Sequence, residues 1–87
     1  MKTFKHAILS ATLLLFSAFG YAAQVNINTA DIAELATSIA GVGPSKAAAI
    51  IEYRDQYGPF VSVDDLAKVK GIGQKTVEDN REILTIE

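Results

Sequence analysis

The sequence predicts an all-α domain of four short helices, arranged as two repeated halves about a pseudo-twofold and preceded by a cleavable leader. Three observations carry this. Ile39-Ala40-Gly41-Val42-Gly43 returns thirty positions later as Val69-Lys70-Gly71-Ile72-Gly73, each copy reading apolar, any, Gly, apolar, Gly. Each copy lies between a segment with a helix-start signal and a segment with helical periodicity. The chain has no cysteine, so helix packing alone must hold the core together.

The leader comes first. Met1 to Ala22 reads as a secretory signal peptide: Lys2 and Lys5 supply the positive start, and Ala7 to Phe19 is apolar except for Ser10, Thr12 and Ser17. Gly20-Tyr21-Ala22 puts small residues at the two positions a signal peptidase reads, so cleavage is expected after Ala22. Cleavage after Ala23 ranks second, because it would place Tyr21 at the upstream position. A retained membrane anchor is the alternative, but the apolar run is short against the roughly 20 residues a spanning helix needs. Removing the leader leaves residues 23–87, enough for one small domain with a modest core.

Val25 to Ala30 reads as an extended lead-in, and Leu84-Thr85-Ile86 alternates in the same way at the far end. The two can lie side by side, although nothing in the sequence demands it. Asp31-Ile32-Ala33-Glu34 is a capping box with Asp31 as N-cap. It opens a first helix from Ile32 to about Ala40, with Ile32, Leu35, Ala36 and Ile39 on one face. Pro44 suits the first turn of a second helix, Pro44 to about Tyr57, where its missing N–H costs nothing. Ala47, Ile50, Ile51 and Arg54 follow one stripe of it, and Ala48 is small enough for close approach. Tyr53 and Tyr57 lie on an adjoining stripe, where they serve as core edge or as stacking platforms for bases. Gly58 and Pro59 stop the helix, and Phe60 is the expected core plug of the connection. Ser62-Val63-Asp64-Asp65 is a second cap, with Asp65 in the place usually held by Glu. It opens a short third helix, Val63 to about Lys68, with Leu66, Ala67 and Val69 inward. A fourth helix is expected from Gln74 to about Ile83, with Val77, Arg81 and Leu84 on one stripe. Asn80 stands where the repeat expects an apolar residue, aligned with Ile50; it is expected to weaken the helix end or to hydrogen-bond into the chain terminus. The repeat also slips once: Leu35 lies six before Gly41, but Leu66 lies five before Gly71. The two hairpins therefore need not share one shape.

Glycine permits positive φ and leaves no Cβ in the way of a close neighbour. At Gly43 and Gly73 one of these two properties is expected to matter: a positive φ, or the close approach of an anion oxygen. Val42 and Ile72 turn inward as anchors. The N–H groups of Gly41, Val42, Gly43, Gly71, Ile72 and Gly73 then surround the positive end of a following helix, an anion site for which phosphate is the usual occupant. Ser45, Gln74 and Thr76 at the helix starts are further hydrogen-bond donors, or plain helix-start residues. Lys46, Lys70 and Lys75 add charge.

The charge balance qualifies this. The chain carries a net charge of −2, and removing the leader takes Lys2 and Lys5, leaving six basic against ten acidic residues, a net of −4. Such a chain binds a polyanion only if its charges are segregated. Lys46, Lys68, Lys70 and Lys75 cluster at the hairpins. Asp31, Glu34, Asp64 and Asp65 sit at the starts of the other two helices, and Glu52, Asp55, Glu78, Asp79 and Glu82 lie further along.

With Asn26-Ile27-Asn28-Thr29-Ala30, Gly41-Val42-Gly43, Ala49-Ile50-Ile51-Glu52-Tyr53-Arg54, Gly58-Pro59-Phe60, Ser62-Val63-Asp64-Asp65-Leu66 and Val69-Lys70-Gly71-Ile72-Gly73 in hand, the chain resembles the helix-hairpin-helix family, specifically its ComEA-type DNA-uptake proteins. The resemblance covers Val25 to Ile86. It implies a tandem helix-hairpin-helix domain that grips the backbone of double-stranded DNA without reading sequence. It further implies a periplasmic receptor that keeps imported DNA from sliding back during natural transformation, working with inner-membrane uptake machinery while not itself spanning the membrane. Proteins of this kind sometimes hold a monovalent cation on hairpin carbonyls when DNA is bound; no other cofactor is expected.

No enzyme is expected. The single histidine, His6, lies in the leader. Asp64 and Asp65 could suggest a metal nuclease, but they sit where a helix start favours acids, and no third acid is placed to complete a site. Two other readings stay open. One is a structural, protein-binding module, as in the PsbU-type extrinsic subunit of photosystem II, which this fold resembles. The other is a general periplasmic nucleic-acid binder.

Overall fold

The computed structural model describes residues 23–87; the expected signal peptide, residues 1–22, lies outside the described residues. The elements in order are β1 (Val25–Asn26), α1 (Ile32–Ser38), α2 (Gly43–Tyr57), a 3₁₀ helix η1 (Val63–Lys68), α3 (Gln74–Asp79) and β2 (Leu84–Thr85). The domain is mostly helical, and the all-α expectation needs one correction. The lead-in and the C-terminal segment pair as a parallel two-stranded ribbon, Val25 opposite Leu84 and Asn26 opposite Thr85. The apolar residues of both segments drive this: Val25, Ile27 and Leu84 are buried, and pairing satisfies the backbone that goes in with them.

Two side chains fasten the ribbon to the helices. Asn28 accepts from Phe60 N at 2.7 Å and donates to Phe60 O at 3.1 Å and Ile86 O at 3.3 Å. Arg54 reaches back from α2 to donate to the Ile27 carbonyl at 3.0 Å. Arg54 is therefore a structural cation, and its guanidinium is committed to the chain.

α1 begins as expected. Asp31 is extended, and its carboxylate accepts from Glu34 N at 2.8 Å. The helix ends at Ser38, short of Ala40, because Ile39 turns to extended backbone and buries itself at the mouth of the hairpin. Leu35 and Ile39 are buried, but Ile32 is 46% exposed; it sits in the first turn, beyond the reach of α2. Ala47 and Ile50 make the buried stripe of α2, with Ile51 and Arg54 partly covered and Ala48 in solvent. Gly58 N returns to Arg54 O at 2.9 Å to close α2, and Phe60 is buried as expected.

The third helix is not α but 3₁₀. Its capping box is present, with Ser62 and Asp65 bonded reciprocally. The missing residue before the second hairpin explains the winding. Six residues in 3₁₀ form span about 12 Å at ~2 Å per residue, and the seven residues of α1 span about 10 Å. The tighter helix with the larger rise lets the shorter copy reach its hairpin. α3 stops at Asp79, short of the expected Ile83, because the Asn80 amide competes for backbone.

Val42, Ile72, Leu66, Val69 and Val77 join Leu35, Ile39, Ile50 and Phe60 in one core. Both halves therefore contribute to a single interior. Among the described residues no buried side-chain nitrogen or oxygen lacks a hydrogen-bond partner, and no helix is long and apolar enough to cross a membrane.

Candidate nucleic-acid interface

The hairpins are two turns of one type. Val42 N donates to Ile39 O at 3.1 Å and Ile72 N to Val69 O at 3.0 Å. The third residue of each turn is the first glycine of its motif, Gly41 at φ 89° and Gly71 at φ 92°. That is the signature of a type II turn, which demands positive φ at its third position and so demands glycine.

This corrects the expected roles of the motif residues. Val42 and Ile72 spend their N–H groups inside the turns and bury their side chains. They are anchors only and offer no donor to an anion. The second glycines differ from each other. Gly43 has φ 64° and is already the first residue of α2, whereas Gly73 is an extended N-cap at φ −97° and ψ 171°. Gly73 therefore needs no left-handed backbone, and a Cβ added there would meet nothing within 4 Å. Neither backbone strain nor a packed neighbour requires glycine at that position.

Helix capping divides the molecule. α1 and η1 cap themselves, with Asp31 and with the Ser62–Asp65 box, and carry Glu34, Asp64 and Asp65 in their first turns. The helices that leave the hairpins, α2 and α3, have no side-chain cap and no acid in the first turn. The N–H groups of Gly43, Ser45 and Lys46 at the start of α2 have no partner within their helix, and Gly73, Gln74 and Lys75 are exposed at the second hairpin.

The two hairpins lie against each other's helix starts. A Cβ on Gly41 would stand 3.9 Å from Thr76 Oγ1, and one on Gly71 would stand 3.6 Å from Lys46 Cγ. Lys46 and Thr76 each lie five places beyond the first glycine of their own motif, so the contact is reciprocal. Asn80 completes the junction. Its Oδ1 accepts from Ala40 N at 3.0 Å, and its Nδ2 donates to Ala40 O at 3.0 Å and Thr76 O at 2.8 Å. The bond goes to the first hairpin, not to the chain terminus. Sequence reading marked Asn80 as a misfit in an apolar register; that misfit was the signal for this clasp. Asn28 was visible only as part of a motif, with no role attached.

The lysines are unequal. Lys46 Nζ donates to the Gly41 carbonyl at 3.4 Å, beside the first turn. That ammonium already serves the carbonyl a monovalent cation would need, so the residues do not fit such an ion at the first hairpin. Lys75 pairs with Asp79 at 2.7 Å and Lys68 with Asp65 at 3.2 Å. The Lys75–Asp79 pair is exposed, of the kind that a competing phosphate can replace at little cost. Lys70 is exposed and has no ion pair among the described residues.

The acids are less segregated than expected. Asp64 lies 3.5 Å from Gln74 Nε2, at the flank of the second hairpin, and Gln74 also reaches Glu78. Arg81 offsets part of this charge: its Nη2 meets Asp64 at 2.6 Å and also Glu78. Hydrogen bonds from the guanidinium hold both carboxyls below the usual carboxylate range, and Lys68 does the same for Asp65. Asp65 serves as the cap residue, accepting from the N–H groups of Val61 and Ser62 at 3.3 Å, while Asp64 turns to Arg81 and Gln74.

A motif of paired glycine hairpins, each opening an uncapped helix, defines the helix-hairpin-helix class. The helix-hairpin-helix motif family matches residues 20–85, and the chain belongs to that family. Its relatives sharpen the likeness to the ComEA type. It is 51% identical to ComE operon protein 1 of Bacillus subtilis over 67 residues, 77% of this chain and 32% of that protein. It is 44% identical over 59 residues to an uncharacterized protein of Haemophilus influenzae, covering 68% of this chain and 53% of the other. A third likeness, 47% over 49 residues, is to endonuclease/exonuclease/phosphatase family domain-containing protein 1 of Rattus norvegicus, of which it covers 8%. The chain thus spans about a third to a half of the two bacterial relatives and a small part of the third.

Proposed function

We propose that residues 23–87 form an exported domain that binds double-stranded DNA through its phosphates and acts as a receptor and retention factor in DNA uptake during natural transformation. The observation that carries this is the division of helix caps. Helices that do not leave a hairpin supply their own anion; helices that do leave one are uncapped, acid-free in the first turn and flanked by Lys46, Lys70 and Lys75. Phosphate oxygens supply the missing acceptors.

The reciprocal contacts of Gly41 with Thr76 and Gly71 with Lys46 support two halves related by a pseudo-twofold. That arrangement sets two phosphate sites side by side, matched to successive phosphates or to the two walls of a groove. The donors are the backbone N–H groups of Gly41, Gly43, Gly71 and Gly73, with Ser45, Gln74 and Thr76 beside them. Phosphates carry no base information, so such a grip is indifferent to sequence. The domain is a binding module, not an enzyme. On this reading the leader-like residues 1–22 direct export, and the domain works in the periplasm beside inner-membrane uptake machinery.

A duplex-binding curve at several salt concentrations tests the reading. About four neutralised phosphates give a slope of log K against log salt near −3.6, with nearly equal affinity for unrelated duplexes of one length. A slope near zero would show that the hairpins do not meet DNA. A preference of about 100-fold for one sequence, about 2.7 kcal/mol, would show that bases are read.

A further inference from the structure

We infer that a cleft beside the second hairpin takes an unpaired nucleobase, so that the domain holds frayed or tailed DNA ends in addition to duplex. The inference rests on the duplex reading for the position of the backbone, and on different residues for the base. The cleft, of about 300 Å³, lies between α2 and the second hairpin; Glu52, Tyr53, Gln56, Tyr57, Lys68 and Lys70 form its polar and aromatic lining.

The aromatic rings are stacked outward from the core. Phe60 is buried; Tyr53 lies parallel to it, centroids 5.3 Å apart at 8°; Tyr57 follows at 4.7 Å and 41°. The ladder ends on Tyr57, which is 68% exposed. Its outer face is open to one more ring, and every base has a π-face to offer. The cleft also matches the rest of a nucleotide. Lys70 belongs to the second hairpin and carries no ion pair among the described residues, and Lys68 stands beside it, so a phosphate has cations where the base has rings. Glu52 and Gln56 can hydrogen-bond a base edge, the carboxylate accepting from an exocyclic amino group.

The cleft shares Lys70 with the proposed duplex site. Lys46, packed on Gly71, and Tyr57 lie on one side of α2, eleven residues apart, which is about 16 Å along a helix. A strand whose phosphates sit at the hairpins reaches Tyr57 within a few nucleotides once its bases are free.

The test is fluorescence anisotropy of the full chain with three labelled probes at low salt: a blunt duplex, the same duplex with a short single-stranded tail, and the tail alone as a single strand. Wild type is expected to bind the tailed duplex about tenfold tighter than the blunt one, the worth of one stacked base. Tyr57→Ala is expected to erase that advantage and leave blunt-duplex affinity unchanged; Tyr57→Phe is expected to keep it. Tyr57 is exposed, so both variants should fold, and circular dichroism checks this. Equal affinity for tailed and blunt duplexes, or a tail advantage that survives Tyr57→Ala, overturns the proposal and leaves the duplex reading standing. If blunt duplex is not bound at all, the duplex reading fails and the single strand decides alone. Binding that is lost in Tyr57→Ala then upholds the cleft, and binding that ignores Tyr57, or none, overturns it. Capture of a proline-rich peptide in place of the single strand assigns the cleft to protein and likewise overturns the proposal.

Discussion

Gly73 separates what a residue does for the fold from what it does for a ligand. Its backbone is extended and its surroundings are open, so Gly73→Asp should fold. The new carboxylate would cap α3 as Asp31 caps α1, raising stability by a few tenths of a kcal/mol in chemical denaturation. The same carboxylate would occupy the donors meant for phosphate, and DNA affinity should drop about tenfold, the loss of one charge-assisted hydrogen bond of ~1.5 kcal/mol. Stability and binding moving in opposite directions is the expected result; equal or better binding would show that the second hairpin does not meet phosphate. Gly71→Ala should behave in the contrary way. At φ 92° an alanine pays about 1–2 kcal/mol in left-handed backbone, so urea midpoints should fall even without DNA. Asn80→Ala removes the partner of both polar groups of Ala40 and of the Thr76 carbonyl. Denaturation should show a loss of about 1–2 kcal/mol.

The elements show how far residue patterns reach. Asp31, the Ser62–Asp65 box, Phe60 and the inward Val42 and Ile72 were all legible, because each rests on local rules: caps bind the nearest N–H groups, and an apolar residue between two glycines has one way to hide. Asp31→Ala tests the local rule directly, with an expected loss of about 1 kcal/mol and unchanged DNA binding, since α1 leaves no hairpin. What was not legible depended on length and on distant partners. The 3₁₀ winding of η1 follows from one missing residue, whose consequence appears only when both halves must meet across a shared core. The early end of α3 depends on Asn80 finding Ala40, forty positions away. Positive φ falls on Gly43, one of the two options its position offered, and also on Gly41 and Gly71 because the turn is of type II; two glycines around one apolar residue do not reveal which of them is the third residue of the turn. The hairpin residues were legible as a repeated pair, and which of their N–H groups stay free was not, because that is decided by which N–H groups the turns consume.

At the scale of the molecule, an acidic chain gathers its lysines at two hairpins and offsets part of the charge of the nearest acids with Arg81. Acidification should therefore weaken the fold. Asp64, Glu78 and Asp65 have folded values below their ordinary ones. They stabilise the fold above the ordinary carboxylate range, and this contribution is lost as pH falls through that range toward the folded values. Thermal melts should show the midpoint declining below about pH 4, less steeply in Arg81→Met. The parallel ribbon has a mechanical meaning. Because β1 and β2 run the same way, tension between the segment before Val25 and the segment after Thr85 pulls along the strands in opposite senses, and their bonds are loaded together in shear. Val25 N to Ile83 O, Ile27 N to Thr85 O, the Arg54 bond to Ile27 and the Asn28 clasp share that load. The domain is thereby built to be tugged from its ends without unzipping.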